Sequence, residues 1–243
     1  YRRQRQMCIR DSFYAEDQLW LNRSLAMTLG TQVSYAERSN KNAAIGANAA
    51  SDDQQSWWGF SPKLGLLYQV DSTTQVFANV SRSFEPPSFG ELVGSNLKFQ
   101  PPTGLYLAST PTSILRAQTS TTAEIGSRGS RGPLQWDAAY YFSWLENELL
   151  EFQIAPGVGQ TKNADRTTHQ GIELGFGFDL LHSGGDEQKA AGSDREKLIL
   201  QAHYLWNDFR YSGDATYGNG PLAGIPEHYL RTDLTYSHPS GFY

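Results

Sequence analysis

From Leu134 to Trp144 the chain alternates: Leu134, Trp136, Ala138, Tyr140, Phe142 and Trp144 share one parity, while Gln135, Asp137, Tyr141 and Ser143 share the other. A period of two marks a strand whose faces meet different media, because successive side chains point to opposite sides. The run also outlasts the roughly five or six residues of an ordinary globular strand, and it matches the about 9 to 11 that a tilted strand uses to cross a bilayer.

The pattern recurs. Ile172, Leu174, Phe176, Phe178 and Leu180 alternate with Glu173, Gly175, Gly177 and Asp179, and Leu198, Leu200, Ala202, Tyr204 and Trp206 alternate with Gln201, His203 and Asn207. Shorter examples are Leu64 to Val70, Val76 to Val80, Leu230 to Tyr236, and Leu25 to Tyr35, and the chain as a whole is expected to hold nine strands. The links alternate too. Short ones fall near 22–24, 71–74, 129–133 and 239–241, and long loops span 39–56, 85–116, 149–168 and 211–227. Bacterial membrane barrels place short turns on the periplasmic side and long loops outside. One link, 181–196, is long, charged and poor in apolar residues, and reads as a floppy periplasmic insertion.

Composition agrees. With 13 Tyr, 12 Phe and 6 Trp but one Cys and two Met, the chain suits an exported β protein. No stretch approaches the about 18 consecutive apolar residues of a membrane helix. A mean hydropathy of -0.52 is no argument against a barrel, because lumen residues cancel lipid-facing ones strand by strand. Trp57, Trp58, Trp144, Trp206 and Tyr236 fall near strand ends, where an interfacial aromatic girdle belongs. The net charge of -5 supplies no basic stripe for nucleic acid. A soluble β-sandwich also alternates, but its strands are shorter, and the best-patterned segments fail the 3.6 period of an amphipathic helix.

Residues 1–12, YRRQRQMCIRDS, read as a non-native leader: basic, without the apolar region of a signal peptide, and ending in a hexapeptide that resembles the translated end of a sequencing adapter. Cys8 lies in that leader, and a lone cysteine forms no internal disulfide.

Three segments between 13 and 243 carry a family resemblance. VSRSFEPPSFGEL (80–92) is similar to a strand end running into a Pro-rich loop, LRAQTSTTAEIGSRG (115–129) to a re-entry strand before a periplasmic turn, and NADRTTHQGIELGF (163–176) to a loop rejoining the wall. In this order and spacing they resemble the TonB-dependent receptors. That resemblance implies an all-β fold: residues 13–243 as a partial transmembrane antiparallel β-barrel, about nine strands of the about 22 that close such a barrel, with the plug and TonB-contacting region absent. It further implies the cell outer membrane of a Gram-negative bacterium, active uptake of a scarce small ligand, contact with the TonB complex and with lipid and lipopolysaccharide, and Glu124 as a structural lumen carboxylate. Within the family, the wording of these segments, with YLWNDFRY and HYLRTDLTYSHPSGFY, looks most like the branch that takes up pyrroloquinoline quinone; ferric siderophore receptors share weaker versions, and a passive porin is a further reading.

No catalytic, cofactor or metal site is expected. The five histidines are scattered without metal-ligand spacing, GFGFD and GNGPLAG match no phosphate loop, and His203 would need a serine within reach to act as in a barrel phospholipase. An anionic ligand with a flat ring would need bidentate cations and aromatic faces. The candidates are Arg82, Arg116, Lys162, Arg166, His169 and Arg210, with Trp57, Trp58 and Tyr217 as stacking surfaces. Surface Arg and Lys also pair with neighbouring carboxylates or lipopolysaccharide phosphates, at little energetic gain for exposed pairs.

Overall fold

The computed structural model describes the chain except residues 1–3, 43–52, 95–96, 101–104, 109–113, 156–157, 182–195 and 241–243. In chain order the elements are β1 (Gln4–Trp20), β2 (Leu25–Asn42), β3 (Asp53–Gln69), β4 (Thr74–Glu85), α1 (Phe89–Gly94), β5 (Leu97–Gln100), β6 (Leu105–Ala108), β7 (Gln118–Arg131), β8 (Leu134–Glu146), β9 (Leu149–Ala155), β10 (Val158–Asn163), β11 (Arg166–Asp179), β12 (Lys197–Tyr211) and β13 (His228–Ser237). Nine of the strands form one antiparallel sheet in the order β1-β2-β3-β4-β7-β8-β11-β12-β13, so chain neighbours are sheet neighbours throughout. It does not close: among the described residues, β1 and β13 each have one partner. This is a partial barrel wall, as nine strands of a larger barrel must be.

Register decides which face each residue takes, and it is coherent across the wall. Leu29 pairs with Leu64, Leu64 with Val80, Val80 with Ala123, Ala123 with Phe142, and Tyr140 with Ile172. Ile172 pairs with Trp206 and Leu200 with Leu234. The alternating apolar positions of separate strands therefore lie on one outer face. A soluble protein would bury such a face, yet here the buried apolar residues are few. Ala26, Ala36 and Ala202 are small, Leu145 and Tyr211 have inner-face parity at the long-loop ends of β8 and β12, and Leu92, Leu115, Ala164 and Leu222 belong to the connections. Among the described residues no buried apolar layer covers the outer face, which is the arrangement that lipid, acting as the apolar solvent, would complete.

The inner face is polar and knit across strands. Asn79 donates to the Glu124 carboxylate at 3.2 Å, Thr122 and Ser143 share a hydrogen bond at 2.7 Å, and Arg128 donates to Gln75 at 3.0 Å. Two motif glycines belong to this face. Tyr141 on β8 reaches over β11 to donate to Asn207 on β12 at 3.2 Å, and a Cβ on Gly171 would fall 2.6 Å from its hydroxyl oxygen. Gly126 makes the same room for the Phe77 ring, 2.4 Å from where its Cβ would be.

The turns at the short-link end are tight, with β7 and β8 separated by Gly132 and Pro133 alone. Asp71 closes the β3–β4 turn by accepting from the Thr73 amide at 2.8 Å and the Thr73 hydroxyl at 2.9 Å. The amide bond above all holds its carboxyl below the ordinary carboxylate pKa. At the other end the expected loops are partly structured. β2 and β3 extend to Asn42 and from Asp53, the 85–116 loop holds α1 and the β5–β6 ribbon, and the 149–168 loop is the β9–β10 ribbon. Helix α1 starts on a capping box, in which the Ser88 amide donates to Glu91 at 2.5 Å and the Glu91 amide to the Ser88 hydroxyl at 3.3 Å. The 181–196 insertion lies almost wholly outside the described residues. The expected leader boundary at residue 12 coincides with no break in β1, which pairs one-to-one with β2 from Gln4 to Trp20.

Replacing Gly171 with Val should destabilise the wall by about 1–3 kcal/mol through overpacking, read as a lower urea midpoint in detergent; an unchanged midpoint would show that Tyr141 does not need to cross β11. Because the Asp71 pKa is depressed on folding, the stability it contributes is present above the unfolded carboxylate pKa of about 3.9 and is lost as pH falls through the lower folded value. Hydrogen exchange at the Thr73 amide, corrected for intrinsic rate, should therefore rise only below that range.

Candidate ligand-binding site at the long-loop end

Where β8 leaves the sheet, Asn147 adopts a left-handed conformation, φ 57°, which asparagine tolerates better than most residues. The turn aims Glu148 inward. Its carboxylate accepts from the Thr167 hydroxyl and lies 3.3 Å from His169 Nε2. All three are enclosed, Thr167 to 1% exposure, and the His169 ring lies flat on Phe209 at 4.0 Å and 3°. The group follows from register, since Thr167 and His169 on β11 face Tyr211 and Phe209 on β12, all with inner-face parity.

Above it the loops are tied into one assembly. Asn163 receives the Arg116 amide at 2.8 Å and donates to the carbonyls of Arg116 and Asn147 at 2.9 and 2.7 Å. Gln118 accepts the Leu149 amide at 2.9 Å. Phe152 from the ribbon, Tyr217 from the following loop and Tyr211 from β12 stack in sequence, with centroids 6.1 and 4.8 Å apart. Tyr211 also packs with Ala164 and Leu222. The three long loops thus close over the inner side of β11 and β12.

The expected site residues divide by face. His169 is on the inner wall and Tyr217 in the aromatic stack beside it. Arg116 and Arg166 line one polar concavity with Glu146, Asp165 and Ser212, and Lys162 is exposed on β10 next to Asn163. Trp57 is inner-facing but donates its indole N–H to the Leu115 carbonyl at 3.1 Å, anchoring the 114–117 segment. Two residues do not join this group. Trp58 pairs with Tyr35 on the outer face, 71% exposed and tilted against it at 4.9 Å. Arg210 has outer-face parity and is held by Asp208 at 2.6 Å. Of the four cations expected at one mouth, Arg116 and Arg166 share that concavity, Lys162 lies beside Asn163 on β10, and Arg210 is carried to the outer face by its strand parity. Sequence reasoning passed over Glu148, Thr167, Phe152, Phe209 and Tyr211. Parity with His169 marks the β11 and β12 members, but Glu146, Glu148 and Glu151 look alike until Asn147 turns the backbone.

His203 hydrogen-bonds to no serine among the described residues, and those residues hold no group of three metal-binding side chains. Among the described residues the arrangement offers an aromatic and imidazole surface on the inner side of β11 and β12, with Arg116 in the polar concavity beside Asn163, and no activated nucleophile.

An open antiparallel wall with an apolar outer face, a polar inner face and structured loops at one end defines a segment of an outer-membrane-type barrel. The family model described as TonB dependent receptor-like, beta-barrel matches residues 4–243, and the chain belongs to that family, whose members are receptors of the Gram-negative outer membrane. Among solved structures it resembles the copper transporter OprC (TM-score 0.73, 16% identity), the ferric yersiniabactin uptake receptor FyuA from Yersinia pestis (0.66, 14%) and the alcaligin receptor FauA from Bordetella pertussis (0.62, 19%). In each case 96% of this chain is covered, against 32%, 32% and 35% of the other. The chain spans about a third of their length, and at these identities the likeness is one of fold.

Replacing Glu148 with Ala should leave His169 and Thr167 without their shared acceptor and cost about 1–3 kcal/mol locally, speeding proteolytic cleavage within the β9–β10 ribbon while the wall stays folded. Glu148→Gln, which still accepts, should be cut more slowly than Glu148→Ala; equal rates in all three proteins would remove the pair as the anchor.

Proposed function

We propose that the intact protein is a TonB-dependent receptor of the outer membrane that captures a scarce small ligand from outside and imports it, without catalysis at the barrel and with energy delivered by the TonB complex through an N-terminal region. Family membership over residues 4–243 carries this reading. As ligand we propose pyrroloquinoline quinone, on the wording of the sequence segments. The flat aromatic group of His169, Phe209, Tyr211 and Tyr217 suits a planar ring, and Arg116 and Lys162 suit its carboxylates. A ferric siderophore is the second reading, favoured because structures of similar fold are named for ferric yersiniabactin and alcaligin uptake. Residues 1–12 we read as a non-native leader, which comparison of the genomic locus with the chain would test.

Growth on trace ligand, with and without a functional TonB system, tests the transport claim: rescue should require TonB, and TonB-independent rescue would favour a passive porin. Calorimetry on the full-length receptor with pyrroloquinoline quinone and a siderophore panel tests the ligand. The double change of Arg116 and Lys162 to Ala should weaken quinone binding by about tenfold or more if charge-assisted bonds are lost. Absence of any quinone binding would return the assignment to the siderophore.

A further inference from the structure

The backbone of Arg116 is held at both of its polar atoms by one side chain. Its amide donates to the Asn163 side-chain oxygen at 2.8 Å, and its carbonyl accepts from the Asn163 side-chain nitrogen at 2.9 Å. The residue before it is held from the other side, where Trp57 on β3 donates its indole N–H to the Leu115 carbonyl at 3.1 Å. Asn163 is itself fixed. It ends β10 opposite Leu149, and its nitrogen also donates to the Asn147 carbonyl at 2.7 Å. One N–H to accept and two carbonyls to serve admit a single orientation of that amide. The base of the ribbon is closed by the Ala164 amide on the Glu148 carbonyl at 2.8 Å and the Asn147 amide on the Asp165 carbonyl at 3.3 Å. The segment 114–117, which has no regular structure of its own, thus takes its position from two distant side chains.

The guanidinium of Arg116 is left out of this clamp. With Arg166 it lines a polar hollow of about 520 Å³ that also holds Glu146, Asp165 and Ser212. None of those two cations and two carboxylates pairs with another among the described residues, although Arg166 and Glu146 stand directly opposite in register. The clamp therefore serves no ion pair of the protein's own. It presents a cation whose backbone is already ordered, so that only side-chain rotamers remain to be fixed on binding. Two guanidiniums in one hollow suit a carboxylate. The two acidic groups suit a donor on the same ligand, and a carboxylated quinone with a pyrrole N–H carries both.

We propose that Asn163 is a positioning residue of the ligand site: through the backbone of Arg116 it sets that guanidinium beside Arg166, and the two together take a carboxylate of the quinone. The inference rests on the quinone reading of the proposed function. Asn163 need not touch the ligand.

The test is calorimetry on the full-length receptor with pyrroloquinoline quinone and with its methyl triester, which keeps the ring and removes the charges. Asn163→Ala should weaken quinone binding by about tenfold, as Arg116→Ala should, and triester binding by about twofold or less. In an Arg116→Ala background the same change should cost nothing further, because a residue that acts through Arg116 then has nothing to position. Trp57→Phe, which keeps a ring and removes the N–H, should give a smaller loss of the same kind. Quinone binding that Asn163→Ala leaves unchanged, losses that multiply in the double variant, or equal losses for quinone and triester would overturn the proposal. Heat-modifiable mobility checks that each variant is a folded barrel, and if Asn163→Ala is not, Trp57→Phe with and without Arg116→Ala decides by the same criteria. A wild-type receptor that binds no quinone overturns the quinone reading and this inference together, whereas one that binds it with Asn163 indifferent overturns the inference alone.

Discussion

Everything in this structure hangs on the continuous antiparallel ladder and its register. In a bilayer no water is present to satisfy an unpaired amide, so a spanning sheet must satisfy its backbone strand against strand. Side chains alternate with a period of two, so a slip of one residue in any pair would send that strand's apolar set to the lumen. Across all eight pairings of the nine-stranded sheet the parity is kept. The glycines of the inner face follow from it, because a crossing such as Tyr141 over β11 is possible only where Gly171 leaves the backbone bare.

Much of the wall was legible in the sequence for this reason. Alternation along Leu134–Trp144, Ile172–Leu180 and Leu198–Trp206 fixes both strand and face, and the short links at 71–74 and 129–133 fix the order of neighbours. The capping box at Ser88 and Glu91 is equally local, but the segment was expected only as a Pro-rich loop and not as a helix start. What stayed hidden depends on partners distant in the chain. The β9–β10 ribbon has weak alternation and is ordered by Asn163, Gln118 and the aromatic stack. The parity of Arg166 and Arg210 could be read from their strands, but chemistry alone put them with Arg116, and the register separated Arg210 from it.

The loop assembly gives the receptor reading its physical content. A rigid wall holds His169 and Phe209 in fixed register, while the loops that cover them are tied by side chain to backbone bonds from a few residues, Asn163 foremost. Loops held in this way vary in ligand chemistry without disturbing the ladder, which is why fold and ligand are separable questions in this family. Among the described residues the β3–β4 ladder stops at Lys63–Ser81, beside Pro62, while both strands run on; near the headgroup level an unpaired edge costs less than in hydrocarbon.

The central claim is that one face of this sheet meets lipid and the other an aqueous lumen. A spin-label scan along β8, residues 134–146, in the full-length receptor reconstituted in bilayers and with Cys8 replaced by Ser, tests it most directly. The account predicts a period of two: even positions from Leu134 to Trp144 collide with oxygen dissolved in the lipid, and odd positions from Gln135 to Ser143 with a water-soluble relaxation agent. Loss of the alternation, or even positions open to the aqueous agent, would contradict it.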